Sequence, residues 1–240
     1  MSKCAQFPLH LWLDEAMEGP LPSTILRNAV VVATGAWVLV KLAPVLALSA
    51  TTLSVMIAIG AITALGGALI SVAQVDIKRV LSYLSSVYMG LVFMAVGAQQ
   101  PEAALLLVLT YALAMATLVM GAGAVIDKVI TQDVTQMGGL WSRRPITGLA
   151  MLGGIFGLVA LPPLGGFWAL LNLVTGLWAA HQVALVAIVL AVNWIVAFSL
   201  ARMFGLIFAG PTNQMTIRAP EPLWLIVIPM MLGLGFTLHL

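Results

Sequence analysis

Charge is what this chain has least of. Asp, Glu, Lys and Arg make up 8% of its 240 residues, against the roughly 25% with which a soluble domain covers its surface. The residues are 62% hydrophobic and the mean hydropathy is +1.12, so the chain reads as an integral membrane protein. Cysteine is nearly absent as well. Cys4 alone excludes an intramolecular disulfide framework and any multi-cysteine zinc or iron–sulfur site. His10, His181 and His239 are far apart in sequence and show no paired ligand spacing, which argues against a metal centre. The formal net charge of +2 is too small and too scattered for a nucleic-acid footprint.

What is present is a series of long apolar runs. A helix needs about 20 apolar residues to cross the hydrocarbon core, where its backbone must satisfy its own hydrogen bonds. About seven stretches qualify: Thr24 to Ala43, Thr51 to Gln74, Arg79 to Ala98, Ala103 to Ile126, Ile146 to Leu177 with a break, Val183 to Phe208, and Leu223 to Leu240. None shows the alternating ten-residue pattern of a β-barrel. The expected architecture is a polytopic, all-α transmembrane bundle. Lys78, Arg79, Lys128, Arg143, Arg144 and Arg218 fall on one side and Lys41 on the other, provided that the broken segment counts as one crossing. The basic side is then the cytoplasmic one. The opening residues Met1 to Trp12 lack the apolar core and cleavage site of a signal peptide. They read as the end of a helix whose beginning is missing, which suggests a fragment.

Two segments break the membrane rules. One runs from Ala5 to Pro22 and opens Ala-Gln-Phe-Pro-Leu-His-Leu-Trp, the other from Ala160 to Leu171 and opens Ala-Leu-Pro-Pro-Leu-Gly-Gly-Phe-Trp. Proline at membrane depth frees backbone groups that need a protein or water partner, and paired interruptions point to repeats with ion pathways beside them. Pro8, Pro162, Pro163, Gly165 and Gly166 are the expected break residues. Four whole spans separate the breaks, as in a five-helix repeat whose fourth helix is broken. On that basis residues 1–46 are the remnant of a first repeat, 47–209 a complete second one broken near 160–166, and 210–240 a loop and a last helix. An ordinary interhelical turn at Pro162-Pro163 is the alternative.

Ionisable groups in the spans come next, because an unpaired charge at the bilayer centre is costly and usually functional. Lys3 precedes the first break, Arg27 and Asn28 open a span, and Lys78 and Arg79 follow Asp76 at a helix start. Interfacial snorkelling is the simpler account of Lys78, Arg79 and Lys41, and a structural anchor that of Arg202. The span Ala103 to Ile126 offers only Tyr111 and the hydroxyls of Thr110 and Thr117; Leu164 to Leu177 has no ionisable group. Gly60, Gly66, Gly67, Gly121 and Gly123 are expected to let helices approach closely. Asp14, Glu15 and Glu18 read as a solvated acidic loop without a basic partner, or as a contact for another subunit.

Together, Lys3 to Pro20, Gln74-Val-Asp-Ile-Lys-Arg-Val-Leu-Ser-Tyr and Met137-Gly-Gly-Leu resemble the antiporter-like membrane subunits of respiratory complex I and its photosynthetic relatives, over roughly residues 1–175. The resemblance implies an inverted five-helix repeat with discontinuous helices, each half a proton half-channel around a buried lysine. Lys3 then matches the broken-helix lysine of the first half. Arg27 or Asn28 replaces the expected histidine, Met115 and Tyr111 replace a lysine and a histidine of the second half, and Leu170-Leu171-Asn172 replaces a Lys-Asp-Glu. Ile25-Leu-Arg-Asn-Ala-Val-Val-Val and Leu161-Pro-Pro-Leu-Gly-Gly-Phe-Trp-Ala-Leu look like the F-type subunit of the cyanobacterial NAD(P)H dehydrogenase-like complexes specialised for CO2 uptake.

That branch implies a thylakoid complex passing electrons from ferredoxin or NAD(P)H to plastoquinone, with a peripheral hydratase whose proton the membrane arm carries away. The expected proton path is Lys3, His10, Arg27, Asn28, Lys78 and Tyr111; a packed, hydrogen-bonded His10 is the alternative for that residue. The chain itself is expected to hold no cofactor or metal and to be a non-catalytic subunit of a translocase. Its expected partners are other membrane-arm subunits, a D-type antiporter-like subunit, the CO2-hydrating peripheral subunit and the lipid bilayer, with no nucleic acid. Two alternatives stand beside it: a subunit of a multi-subunit cation/proton antiporter, and a membrane scaffold whose second channel has decayed.

Overall fold

The computed structural model describes residues 1–16, 19–211 and 224–239. Glu18 and Arg218 therefore lie outside the described residues. A 3-10 turn, Ser2–Cys4, leads through the first break to the short helix α1 (Leu11–Glu15). The next span is continuous but not uniform: α2 (Leu21–Ile25) passes through a π-helical segment, Leu26–Val31, into α3 (Val32–Leu46). Then follow α4 (Ala50–Ala73), α5 (Ile77–Gly97), α6 (Pro101–Val129), α7 (Pro145–Leu158), α8 (Gly165–Ala179), α9 (Val183–Phe208) and α10 (Trp224–His239). Turns of a few residues at 47–49, 74–76 and 98–100 make consecutive helices antiparallel.

Among the described residues five helices are long and apolar enough to cross a membrane: Pro22–Leu46, Ala50–Ala73, Ile77–Gly97, Pro101–Val129 and Val183–Phe208. These expected spans stand with ends moved by up to three residues, and the expected break in Ile146 to Leu177 is present, while the last span differs. The stretch Ile146 to Leu177 is two half-helices, α7 of 14 residues and α8 of 15. The last helix has 16 residues from Trp224 to His239, shorter than a full crossing; Leu223 and Leu240 lie outside the described residues. A multi-pass helical membrane protein is what this architecture builds.

α5 is the axis. It is buried over its whole apolar length, wrapped by α3, α4, α6, α9 and α1, as expected of a helix that is apolar all round. Its start is fixed at the basic face. The Asp76 carboxylate accepts the Lys78 and Arg79 amides at 2.9 and 3.4 Å, a standard N-cap. Backbone bonds Ile77 N–H to Gln132 O (3.0 Å) and Val134 N–H to Val75 O (2.9 Å) tie this start to the loop after α6. α4 presses on α5 through glycines: a Cβ on Gly60 would lie 2.6 Å from the Gly90 carbonyl, and one on Gly90 2.7 Å from that of Gly60. Such close approach is how helices associate where lipid removes the hydrophobic drive.

Two arginines are structural by their contacts. Arg202 on α9 donates to the Val72 and Gln74 carbonyls at 2.9 and 3.0 Å, closing the end of α4, in line with the anchor expected of it. Arg144 is not a solvated loop charge: it is fully buried and donates to the Ala124 carbonyl of α6 at 2.7 Å.

Candidate functional site

The two breaks have the same backbone. Ala5 and Ala160 adopt φ of 47° and 61°, and each is followed by a cis X-Pro bond, Phe7-Pro8 and Pro162-Pro163. The amide one residue after the alanine reaches back to the same place: Gln6 N–H to Met1 O (3.3 Å), Leu161 N–H to Phe156 O (3.2 Å). The amide four residues after it closes a turn: Leu9 N–H to Gln6 O, Leu164 N–H to Leu161 O. A left-handed alanine costs about 1 kcal/mol or more, so each break is held by its surroundings. Pro162 and Pro163 lie inside the second break, while Gly165 and Gly166 form the first turn of α8. The second is a turn between two half-helices, with Leu161, Pro162 and Pro163 exposed and Leu164, Gly165 and Gly166 buried.

From the basic face to the second break runs a buried polar line. Lys78, only 7% exposed, donates from Nζ to the Gly19 carbonyl at 3.3 Å. With Asn28 and Thr24 it borders a void of about 10 Å3, about one water in size. Asn28 sits in the π-helical segment, a distortion that often marks functional sites, and its carbonyl accepts the Tyr111 hydroxyl at 2.8 Å. The Tyr111 ring stacks on Tyr88 with centroids 5.6 Å apart, and Ser85 lies beside it. The Tyr88 hydroxyl then donates to the Leu158 carbonyl at the break. Asn193 of α9 donates to the next carbonyl, Val159, at 3.2 Å.

The other expected path residues are placed as follows. Arg27 is half-buried and donates from Nη1 to the Ala16 carbonyl, so Arg27 and Lys78 grip the same loop. Lys3 is exposed on this chain, beside Gly35 of α3. His10 is half-buried at the start of α1, its ring stacked on Phe7 (5.7 Å) and 6.3 Å from Tyr83. Lys41 lies 4.9 Å from the Trp37 ring centroid at the opposite face, a snorkelling arrangement. Asn28, Lys78 and Tyr111 are thus brought together; Lys3 and His10 stand apart from them at the first break.

Three expectations are corrected. The hydroxyls of Thr110 and Thr117 donate to carbonyls of their own helix, Leu106 and Leu113, so neither carries a bond across to another element. Asp14 is not in a partnerless loop: Asp14 and Glu15 belong to α1, and Asp14 Oδ1 lies 3.9 Å from Arg79 Nε while Oδ2 accepts the Tyr83 hydroxyl at 3.5 Å. Gly66 is no packing glycine either. Nothing lies within 4 Å of the place its Cβ would take.

Sequence reasoning missed Tyr83, Tyr88, Ser85 and Asn193. A signal existed for the first two. The chain has three tyrosines, two of them on the one fully buried helix and the third on its neighbour, and a hydroxyl inside an apolar bundle needs a partner. Met115, where a lysine is expected from the resemblance, is fully buried and apolar. Among the described residues no group of three or more His, Cys, Asp or Glu is placed to hold a metal.

Residues 1–195 match the family model described as NADH:quinone oxidoreductase/Mrp antiporter, transmembrane. The chain is 49% identical to the NAD(P)H-quinone oxidoreductase subunit 5 (organellar chromatophore 2) of Paulinella chromatophora over 96% of its own length and 37% of that protein. It is 34% identical to the chloroplast subunit 5 of Physcomitrium patens, covering 93% of this chain and 33% of that one. It therefore spans about a third of the length of these relatives. The fold matches a chain of the Mrp complex from a Dietzia species with a TM-score of 0.91 at 18% identity, over 99% of this chain and 53% of that one. The matched residues take in both breaks and the polar line that ends at the second: the chain belongs to the NADH:quinone oxidoreductase/Mrp antiporter transmembrane family.

Proposed function

We propose that the chain is the proton-translocating part of a membrane-arm subunit in a complex I-like NAD(P)H or ferredoxin:plastoquinone oxidoreductase, set in a thylakoid-type membrane. The observation that carries this is the buried line Lys78, Asn28, Tyr111, Tyr88 and Leu158, which joins the basic face to a helix break. Both tyrosine hydroxyls donate to main-chain carbonyls, which do not take up a proton, so in this scheme each hydroxyl passes one by turning to a water that enters the line, and no second buried lysine is needed. Lys3, Arg27 and His10 serve the first break in the same scheme. Residues 47–209 act as one five-helix unit, 1–46 as the end of a preceding unit, and 210–240 as a loop and a further helix. The partners are the other membrane-arm subunits, including a D-type antiporter-like one, and a peripheral CO2-hydrating subunit whose proton the line removes.

A scaffold with a degenerate channel is the second reading, favoured by Met115 and by Leu170-Leu171-Asn172 beside the second break. The test is Tyr111→Phe in the full-length protein, purified with its complex from native membranes and identified by mass spectrometry. Tyr111→Phe is expected to lower the number of protons moved per electron while the complex still assembles. An unchanged ratio in an intact complex selects the scaffold. Recovery with small antiporter subunits alone, rather than quinone-reductase subunits and a hydratase, selects a cation/proton antiporter.

A further inference from the structure

At the face opposite the basic one, α3 and α5 end and α6 begins. Between the three lies an open groove of about 460 Å3. One wall is a single side of α3, where Trp37, Val40, Lys41 and Pro44 recur at the three- and four-residue spacing of helix neighbours. Val96 of α5 and Leu105 of α6 form the other wall. Ala43 and Ala47 add only methyl groups to it, which leaves the groove unfilled. Its polar side chains are Lys41 and Gln99, the latter in the turn that joins α5 to α6.

Lys41 lies near the end of α3, about 8 Å along the axis from Leu46, where lysine and tryptophan meet lipid headgroups. Its ammonium rests over the Trp37 ring. The ion pairs among the described residues lie elsewhere, Arg79 with Asp14 and Lys128 with Asp127, so no carboxylate among them neutralises Lys41. A cation at the mouth of an apolar groove is complementary to a molecule with an apolar chain and an anionic head. A helix of another subunit fits poorly. The volume holds about one turn of a helix about 10–12 Å across, and such a helix must bury the ammonium or bring a carboxylate to it. The same volume is within the range of small-molecule sites, about 300–1,000 Å3.

We propose that the groove binds one anionic lipid from the leaflet on this side, with an acyl chain between Ala43, Ala47 and Leu105 and the phosphate or sulfonate of its head on Lys41 Nζ. The Gln99 side-chain amide donates to the remaining head oxygens. A lipid held in this way joins the end of α3 to the turn between α5 and α6. The proposal needs only that the chain spans a membrane, and it is independent of the proton path.

The experiment uses the full-length protein, purified in mild detergent with the subunits that accompany it. A phosphatidylglycerol with a photoactivatable group on its acyl chain is bound and irradiated, and the labelled peptides are identified by mass spectrometry. Label is expected on residues 37–47 and 96–105, which line the groove. Unlabelled phosphatidylglycerol should displace it at about a fivefold lower concentration than phosphatidylcholine, the weight of one lysine near a membrane surface. Lys41→Gln is expected to erase that preference and Lys41→Arg to keep it. Ala47→Trp, which fills the groove, should abolish the label. Equal displacement by the two lipids in the unaltered protein overturns the proposal. So does label that survives Ala47→Trp, or that never reaches these residues because another subunit covers them. Should Ala47→Trp prevent assembly on native gels, the Lys41 variants decide: a preference equal in Lys41→Gln and Lys41→Arg overturns the site.

Discussion

At the first break the chain turns at Ala5 and re-enters a helix at Leu11, among His10, Asp14, Tyr83 and Arg79; at the second it turns at Ala160 and re-enters at Gly165, among Leu158, Trp168 and Leu170. Corresponding residues differ by a constant 155 positions, as Ala5 and Ala160 or Pro8 and Pro163 show. Yet the freed carbonyls are satisfied in opposite ways. The first break caps itself, Trp12 Nε1 donating to Ser2 O at 2.8 Å and Gln6 Nε2 to Cys4 O at 3.0 Å. The second takes its caps from other helices, Tyr88 of α5 on Leu158 O and Asn193 of α9 on Val159 O. The Cys4 and Val159 carbonyls are counterparts by the same offset. The comparison teaches that the turn is a local property of its prolines and the residues around them, whereas its dependence on the bundle and its chemistry come from what packs against it.

The largest test of that difference is Gly166→Ala. A Cβ there would lie 1.9 Å from the Gly157 carbonyl, a backbone atom that cannot swing away. Overpacking against backbone is expected to cost about 3 kcal/mol or more, read as a fall in the thermal midpoint of the detergent-extracted protein. The counterpart at the first break is Leu11, which already carries a large side chain and is 57% exposed. A midpoint unmoved by Gly166→Ala would mean that the second break is as open as the first.

Tyr88→Phe comes next. It leaves the Leu158 carbonyl buried without its cap, which is expected to cost about 1–3 kcal/mol. Trp12→Phe removes the analogous bond at the exposed, self-capped break and is expected to cost less, because water can take the place of the indole N–H. Chemical denaturation in detergent compares the two. Equal losses would show that both breaks depend on the bundle alike.

How much of this was legible in the sequence follows from the same contrast. The breaks could be placed at their prolines because proline acts on its own backbone, whereas Gly165 and Gly166, expected in the second break, begin α8. Span ends were legible to within a few residues because hydropathy is a sum over many side chains. The polar line was legible only in part. Lys78 and Asn28 stood out as polar groups at the ends of apolar runs, and Tyr111 as the only ionisable group in its span. Tyr88 and Asn193 could not be placed, since their partners are main-chain carbonyls 70 and 34 residues away and no side-chain pattern marks a carbonyl. Asp14 was misread for a related reason. Its partners Arg79 and Tyr83 lie on another helix, and a count of nearby charges in sequence cannot see across a bundle.

The smallest expected effect lies outside both breaks, in the loop that closes the foot of α5, and it serves as the control for them. The Asp133 carboxylate accepts the Thr135 hydroxyl at 2.6 Å, the Thr135 amide at 2.8 Å and Gln136 Nε2 at 3.2 Å. These bonds, that from the Thr135 side chain first, hold its carboxyl below the usual carboxylate range. Because the folded value is depressed, the contribution to stability is fully present above the unfolded value of about 4 and is lost as the pH falls through the folded one. Hydrogen exchange of the Thr135 amide is therefore expected to quicken on acidification below that value, relative to the acid-catalysed intrinsic rate. Asp133→Asn should remove the pH dependence. The caps at Leu158 and Val159 come from neutral groups, Tyr88 and Asn193, so protection at the second break should stay flat over the same range. Parallel loss of protection at the loop and at the break would show that the foot of α5 holds the break in place.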